Sequence, residues 1–102
     1  MYLLTINPHG NYVRVRFATE AGRLFEFVVQ YETTVEERDY PVVRYDTAHG
    51  RPHRVLLDWS GATIRRDPLP EHLSLSQALD LARRDILETW ANYRADFLRR
   101  RL

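Results

Sequence analysis

The chain has no cysteine and no lysine. The first absence excludes disulfides and thiolate zinc sites. The second removes Schiff-base and ammonium chemistry. All 15 basic residues are therefore arginines, permanently charged forks suited to carboxylates and phosphates. Long apolar runs are missing too. None approaches the ~20 residues of a membrane span, and the chain does not open on the basic stretch and apolar core of a secretory signal. The expectation is a cytoplasmic protein of bacterial type that uses no membrane. Neither sign of charge is in excess, since 15 basic and 14 acidic residues leave a formal net charge of +1. Any nucleic-acid site therefore has to be a local patch. Within these limits, 102 residues of which 44% are hydrophobic suit a single domain with one core.

The first two thirds of the chain reads as strands joined by short turns. Tyr2 to Ile6 is a short apolar run closed by the turn residues Asn7-Pro8-His9-Gly10-Asn11. Tyr12 to Ala18 alternates, with Val13, Val15 and Phe17 on one side and Arg14 and Arg16 on the other. After Glu20-Ala21-Gly22, Leu24 to Glu32 alternates again. Phe25, Phe27, Val29 and Tyr31 are expected in the core, opposite Glu26, Gln30 and Glu32. The polar run Thr33 to Asp39 reads as a mobile loop. Val42 to Thr47 and His53 to Leu57 read as a strand pair, followed by a short strand around Thr63-Ile64. Consecutive strands with short connections favour an antiparallel meander of about five to six strands.

Pro68 and Pro70 break the chain before one long helix. Ser74 is a natural N-cap, and Gln77 three residues on completes a capping box. Leu75, Leu79, Ala82, Ile86, Trp90, Tyr93 and Phe97 then recur at spacings of three and four as one apolar stripe. Asp80 with Arg84 and Asp96 with Arg100 are expected i,i+4 ion pairs. The predicted fold is α+β, with a sheet over residues 1–67, a linker over 68–73 and a C-terminal helix over 74–101. Such a helix is on the order of 40 Å long, whereas five strands side by side cover roughly 20–25 Å. Its last turns are thus expected to overhang the sheet, carrying Trp90, Tyr93, Phe97 and Leu98. An overhanging aromatic stripe calls for a partner, and a second copy supplies one, so a homodimer through the helix is expected.

The segment Arg44 to His53 (RYDTAHGRPH) gathers two histidines, an aspartate, a tyrosine and two arginines around one tight turn. Imidazoles titrate near neutrality, so His49 and His53 are candidates for a general base and a general acid. Arg44, Arg51 and Arg54 are placed to hold a phosphate and stabilise its developing charge. Together these groups suit metal-independent RNA cleavage through the ribose 2′-hydroxyl. A metal version would take Asp46, His49 and His53 as ligands. The plainer alternative is a structural turn, with Tyr45 in the core and Asp46 accepting from turn amides. Asp85 beside the apolar stripe reads either as an exposed charge or as a reach toward His49 or an arginine on the sheet. Trp59 in a turn reads as a partner contact, a lid over the sheet edge, or packing. Arg14, Arg16 and Arg44 can share one sheet face, where cross-strand pairs with Glu26 and Glu32 are the simplest outcome.

Arg44-Tyr45-Asp46-Thr47-Ala48-His49-Gly50 with His53 resembles the signature of a family of short uncharacterised prokaryotic proteins. The Asp85-Ile86, Trp90, Tyr93-Arg94 and Phe97-Leu98 pattern resembles the same proteins' C-terminal end. More distantly, the hairpin is similar to that of TumE-type toxins of toxin–antitoxin pairs. Those toxins tend to carry a denser histidine cluster after the turn, and Arg54 stands here where another imidazole is expected. The resemblance implies a compact sheet-plus-helix domain in a toxin-like context. The leading expectation is therefore a small RNA-targeting, toxin-like protein acting as a metal-independent ribonuclease. His49 and His53 would be its acid–base pair, with Arg44, Asp46 and Arg54 completing the site. RNA and a small antitoxin are the implied partners beside a second copy, and no cofactor or metal is called for. The alternative is a non-catalytic homodimeric interaction module, antitoxin-like or structural.

Overall fold

The computed structural model describes residues 2–101, and of His49 the backbone alone. Six strands follow one another as an antiparallel meander: β1 Tyr2–Asn7, β2 Asn11–Glu20, β3 Arg23–Val35, β4 Arg38–Asp46, β5 His53–Leu57 and β6 Thr63–Pro68. One helix, α1 Leu75–Arg100, packs on one face of this sheet, so the fold is α+β. Alternation along the strands sends Val13, Val15, Phe27, Val29, Tyr31, Val43 and Tyr45 to the helix side. There they bury against Ala78, Ala82, Ile86 and Phe97. The helix starts at the expected capping box: Ser74 Oγ accepts from the Gln77 amide (3.1 Å) and Gln77 Oε1 from the Ser74 amide (2.8 Å). No helix of the described residues is long and apolar enough to cross a membrane.

The run Thr33 to Asp39 is not a loop. β3 continues to Val35 and β4 begins at Arg38, leaving only Glu36-Glu37 as the turn. The polarity of the run marks a buried hydrogen-bonded cluster instead. Asn11 Oδ1 accepts from the Tyr31 hydroxyl (2.6 Å) and the Thr33 hydroxyl (2.8 Å), and Arg94 Nε donates to Thr33 Oγ1 (3.1 Å). Thr33 is fully buried. The strand also extends past Ile64, since residues 65–68, which include Pro68, belong to β6. A proline is tolerated at the end of an edge strand.

Glu36 and Glu37 both have positive φ, +51° and +68°. Positive φ at both central residues of a two-residue hairpin loop is the mark of a type I′ turn, which favours Asn-Gly. Replacing the pair with Asn-Gly should stabilise the protein by about 0.5–1 kcal/mol. The check is a higher urea midpoint at unchanged slope.

The helix does not overhang the sheet as expected. β3 has 13 residues and α1 has 26. At ~3.3 Å per strand residue and 1.5 Å per helix residue, both run about 40 Å. Phe97 is fully buried within the chain. Trp59 stacks on it at 4.3 Å, Tyr40 meets Trp59 edge-on at 4.7 Å, and Trp59 Nε1 donates to the Phe97 carbonyl at 2.9 Å. Trp59 thus takes the packing role, against Phe97 and Tyr40 at the end of the helix. The ion pairs on α1 also differ. Asp96 pairs with Arg99, and Arg100 donates to the Leu57 carbonyl (3.3 Å). No partner for Asp80 or Arg84 is found among the described residues.

Phe25, expected in the core, is largely exposed at 49%, and so is Phe17 at 45%, although it was placed on the side of Val13 and Val15. α1 lies chiefly over β3 and β4, so Phe17 on β2 packs against Tyr2 instead (6.4 Å, edge-on). Phe25 falls at a bulge, where Ala18 pairs with Glu26 but Thr19 with Leu24, and the bulge breaks the alternation.

Candidate functional site

The face of the sheet turned away from α1 carries the candidate site. Strand register lines its side chains into rows across the strands. One row is Leu3, Arg14, Gln30, Arg44, Val55 and Arg66, each the cross-strand partner of the next. The next row is Arg16, Val28, Asp46, His53 and Pro68. Three arginines, Arg14, Arg16 and Arg44, converge on a pocket of about 700 Å³ that also takes in Asp46, Thr47 and Ala48 from the hairpin. The three arginines share one face, and the cross-strand pairing expected there is made between Arg14 and Glu32.

Side-chain amides and carboxylates order these arginines. Arg44 Nε donates to Gln30 Oε1 (2.9 Å), and Gln30 Nε2 donates to Glu32 Oε2 (2.8 Å). Arg14 Nε donates to the same Glu32 oxygen (2.9 Å). This hydrogen bond and the Glu32 charge hold the Arg14 guanidinium above its ordinary pKa. Arg44 lies 4.0 Å from Asp46. Arg16 has no ion-pair partner among the described residues, and the expected partner Glu26 stands unpaired beside it on the pocket wall.

The hairpin is built by local chemistry. Asp46 Oδ1 accepts from the Ala48 amide (3.2 Å), and a single 3₁₀ turn spans Ala48–Gly50. Gly50 takes φ +85°, a conformation costly for other residues. Thr47 ties the turn to β3: its amide donates to the Phe27 carbonyl (3.2 Å), and its hydroxyl oxygen accepts from the Phe27 amide (3.1 Å). Across β4–β5, Asp46 faces His53. His53 Nδ1 lies 2.7 Å from the Arg51 carbonyl. A carbonyl can only accept, so Nδ1 carries the proton, and Nε2 of the neutral ring keeps its lone pair.

The structure therefore brings together Arg44, Asp46 and His53 of the expected site. The approach of His49 to His53 lies outside the described residues, because the His49 side chain does. Arg51 turns outward to Glu71 (2.7 Å). Arg54 is on the opposite side of the sheet. It pairs with Tyr45 in register, and its guanidinium donates to the Tyr93 hydroxyl (3.3 Å) and to Asp67 (3.0 Å). Among the described residues, no three imidazoles or carboxylates are placed to hold a metal ion.

Behind the hairpin, on the helix side, lies a second polar cluster. Asp85 Oδ2 accepts from the Tyr45 hydroxyl (2.6 Å) and from the Tyr93 hydroxyl. Among the described residues Asp85 reaches no arginine directly and meets Arg54 only through Tyr93, while any approach to His49 lies outside the described residues. Burial, and then the hydrogen bond onto Asp85, push both phenols above their ordinary pKa. Burial opposes the charge of Arg54, but its bonds to Asp67 and Tyr93 outweigh it and raise that pKa. Tyr45 and Asp85 also line a shallower pocket of about 550 Å³ with Asp80, Arg84 and Glu88.

Sequence reasoning passed over Gln30, which orients Arg44, and Arg66, which continues the arginine row. The signal for Gln30 was its place on the polar side of an alternating strand. For Arg66 the signal was masked by Pro68. The pairing of Asp85 with Tyr93 was not legible from spacing, since eight residues turn about 80° off the starting face and rise about 12 Å; a long tyrosine side chain leaning toward the helix N-terminus closes the gap.

No curated protein and no solved structure matches the chain. The model of DUF7718, a domain of unknown function, matches residues 2–102, and the chain belongs to that family.

Proposed function

We propose that this is a small RNA-targeting, toxin-like protein that holds a phosphate backbone on its arginine face and presents His53 from the hairpin. The observation carrying this reading is the convergence of Arg14, Arg16 and Arg44 on one pocket that also takes in Asp46, the cross-strand partner of His53. Guanidinium forks match phosphate oxygens, and Arg16 is free to make such contacts. In the catalytic form, His53 Nε2 takes the ribose 2′-hydroxyl proton. The 2′-oxygen attacks the adjacent phosphorus, and the bond to the 5′-oxygen of the next nucleotide breaks. A protonated His49 supplies the proton to that leaving oxygen, leaving a 2′,3′-cyclic phosphate and a free 5′-hydroxyl. Arg44 stabilises the charge developing on the phosphate. The work is cytoplasmic in this reading, and a small antitoxin is its natural counterpart.

Arg16→Ala and Arg44→Ala should each weaken binding of single-stranded RNA by about tenfold, as the loss of a charged hydrogen bond implies. His53→Ala should leave binding nearly unchanged while abolishing cleavage, and the wild-type rate should follow a bell-shaped pH profile. Fluorescence anisotropy and gel assays of cleavage read the two effects. Unchanged affinity in the Arg16/Arg44 double alanine variant would overturn the reading.

A second reading is a non-catalytic homodimeric interaction module. It is favoured by the hairpin's own bonds, in which Asp46, Thr47 and His53 each engage nearby backbone. It requires no RNA binding and a dimer by light scattering.

A further inference from the structure

We propose that the RNA lies as a stacked single strand across the sheet, at right angles to the strands, along an arginine row that runs past the pocket to Arg66 on β6. This inference rests on the RNA reading and specifies the form of the ligand. The row Leu3, Arg14, Gln30, Arg44, Val55 and Arg66 carries three arginines and no carboxylate. The carboxylates lie in the flanking rows, with Glu32 opposite Tyr12 and Asp46 opposite Val28. The arginine line itself is thus free of carboxylates, and Arg16 and His53 stand beside it on the hairpin side.

The spacing suits a chain rather than a compact anion. Arg14, Arg44 and Arg66 sit on β2, β4 and β6, every second strand. Strands are ~4.8 Å apart, so the end-to-end span is about 19 Å. At ~3.4 Å per stacked nucleotide this is roughly six nucleotides. A mononucleotide in the pocket cannot reach Arg66.

Arg66 also differs from its neighbour Arg65. Arg65 falls on the helix side of the sheet, opposite Leu56, and is tied to Asp67 at 3.0 Å. Arg66 is exposed and has no hydrogen-bond or ion-pair partner among the described residues. A charge on an edge strand also discourages edge-to-edge pairing. That simpler role predicts no dependence on ligand length.

The experiment compares a uridine dinucleotide with an oligouridylate of about ten nucleotides, each labelled for anisotropy, on the full chain. Arg66→Ala should weaken the long oligomer by about fivefold and leave the dinucleotide within about twofold. Its log affinity against log salt should flatten by about 0.7 for the long oligomer alone, the value for one lost phosphate contact on a single strand. Arg66→Lys should recover most of the loss. Arg65→Ala should behave as wild type, and all variants should keep the wild-type melting curve. If Arg66→Ala weakens both ligands equally, or neither, the row is overturned while the RNA reading stands. If the wild type binds neither ligand, the RNA reading itself fails.

Discussion

Phe97→Ala should lower the melting temperature by on the order of 20 °C, and Phe97→Asp should abolish the cooperative unfolding transition. Phe97 is fully buried near the end of α1, stacked on Trp59 and beside Tyr40. Truncating a buried phenylalanine costs about 3–5 kcal/mol. A domain of this size has a total stability of about 5–15 kcal/mol, and each kcal/mol moves its midpoint by roughly 4–8 °C. The aspartate adds an unpaired charge in an aromatic stack with no partner to neutralise it. It also removes the surface over which Trp59 is held, so the Trp59 bond to the Phe97 carbonyl loses its geometry. Circular dichroism melts paired with light scattering provide the check. A Phe97→Asp protein that melts like wild type but scatters as a smaller particle would restore the original expectation, with this end of the helix as an interface.

The fold was largely legible because its signals were local. The Ser74–Gln77 capping box, the apolar stripe on α1 and the alternation of β2 and β3 each depend on residues a few positions apart. What escaped was nonlocal. Thr33 looks like loop chemistry until Asn11 and Arg94 arrive from distant elements to satisfy its hydroxyl. Phe97 looks like an orphan until the turn containing Trp59 folds over it. Phe25 alternates correctly on paper, and a bulge visible only in the pairing turns it outward.

The candidate site divides along the same line. Arg44 and Asp46 share a side because they are two apart on one strand, and this could be read directly. The side taken by Arg54 depended on register, which puts it opposite Tyr45 and hence toward the helix. The same register puts His53 opposite Asp46, so the hairpin separates two adjacent basic residues onto opposite faces. Arg66 needed two further facts, the length of β6 and its pairing with Val55.

The second large effect is expected at Asp85. One carboxylate oxygen there accepts two phenol hydroxyls, from β4 and from the next turns of α1, and Tyr93 passes the link on to Arg54 and β5. Tyr45 is 2% exposed, so Asp85→Ala leaves its hydroxyl without an acceptor in the core. An unsatisfied buried donor costs about 1–3 kcal/mol, and the lost charge-assisted bonds add to it. A total of about 3–4 kcal/mol corresponds to a fall of roughly 15–25 °C in melting temperature. Asp85→Asn keeps an acceptor oxygen and should lose about half as much. The phenols also set an alkaline limit. Their folded pKa values lie above the ordinary value of 10, so the stabilisation they report is complete below pH ~10 and is lost as pH rises beyond it. Stability should therefore hold level through neutral pH and decline above about pH 10. Tyr45→Phe should cost about 1 kcal/mol at neutral pH and make that decline shallower, because one phenol fewer ionises in the unfolded chain while staying protonated in the fold. Parallel stability–pH curves for wild type and Tyr45→Phe across the alkaline range would refute the account. Since Tyr45 and Arg54 directly adjoin Asp46 and His53 along their strands, Asp85→Ala should also loosen the hairpin mouth. The expected sign is faster amide exchange at residues 47–51 than in the Phe97→Ala protein at matched stability.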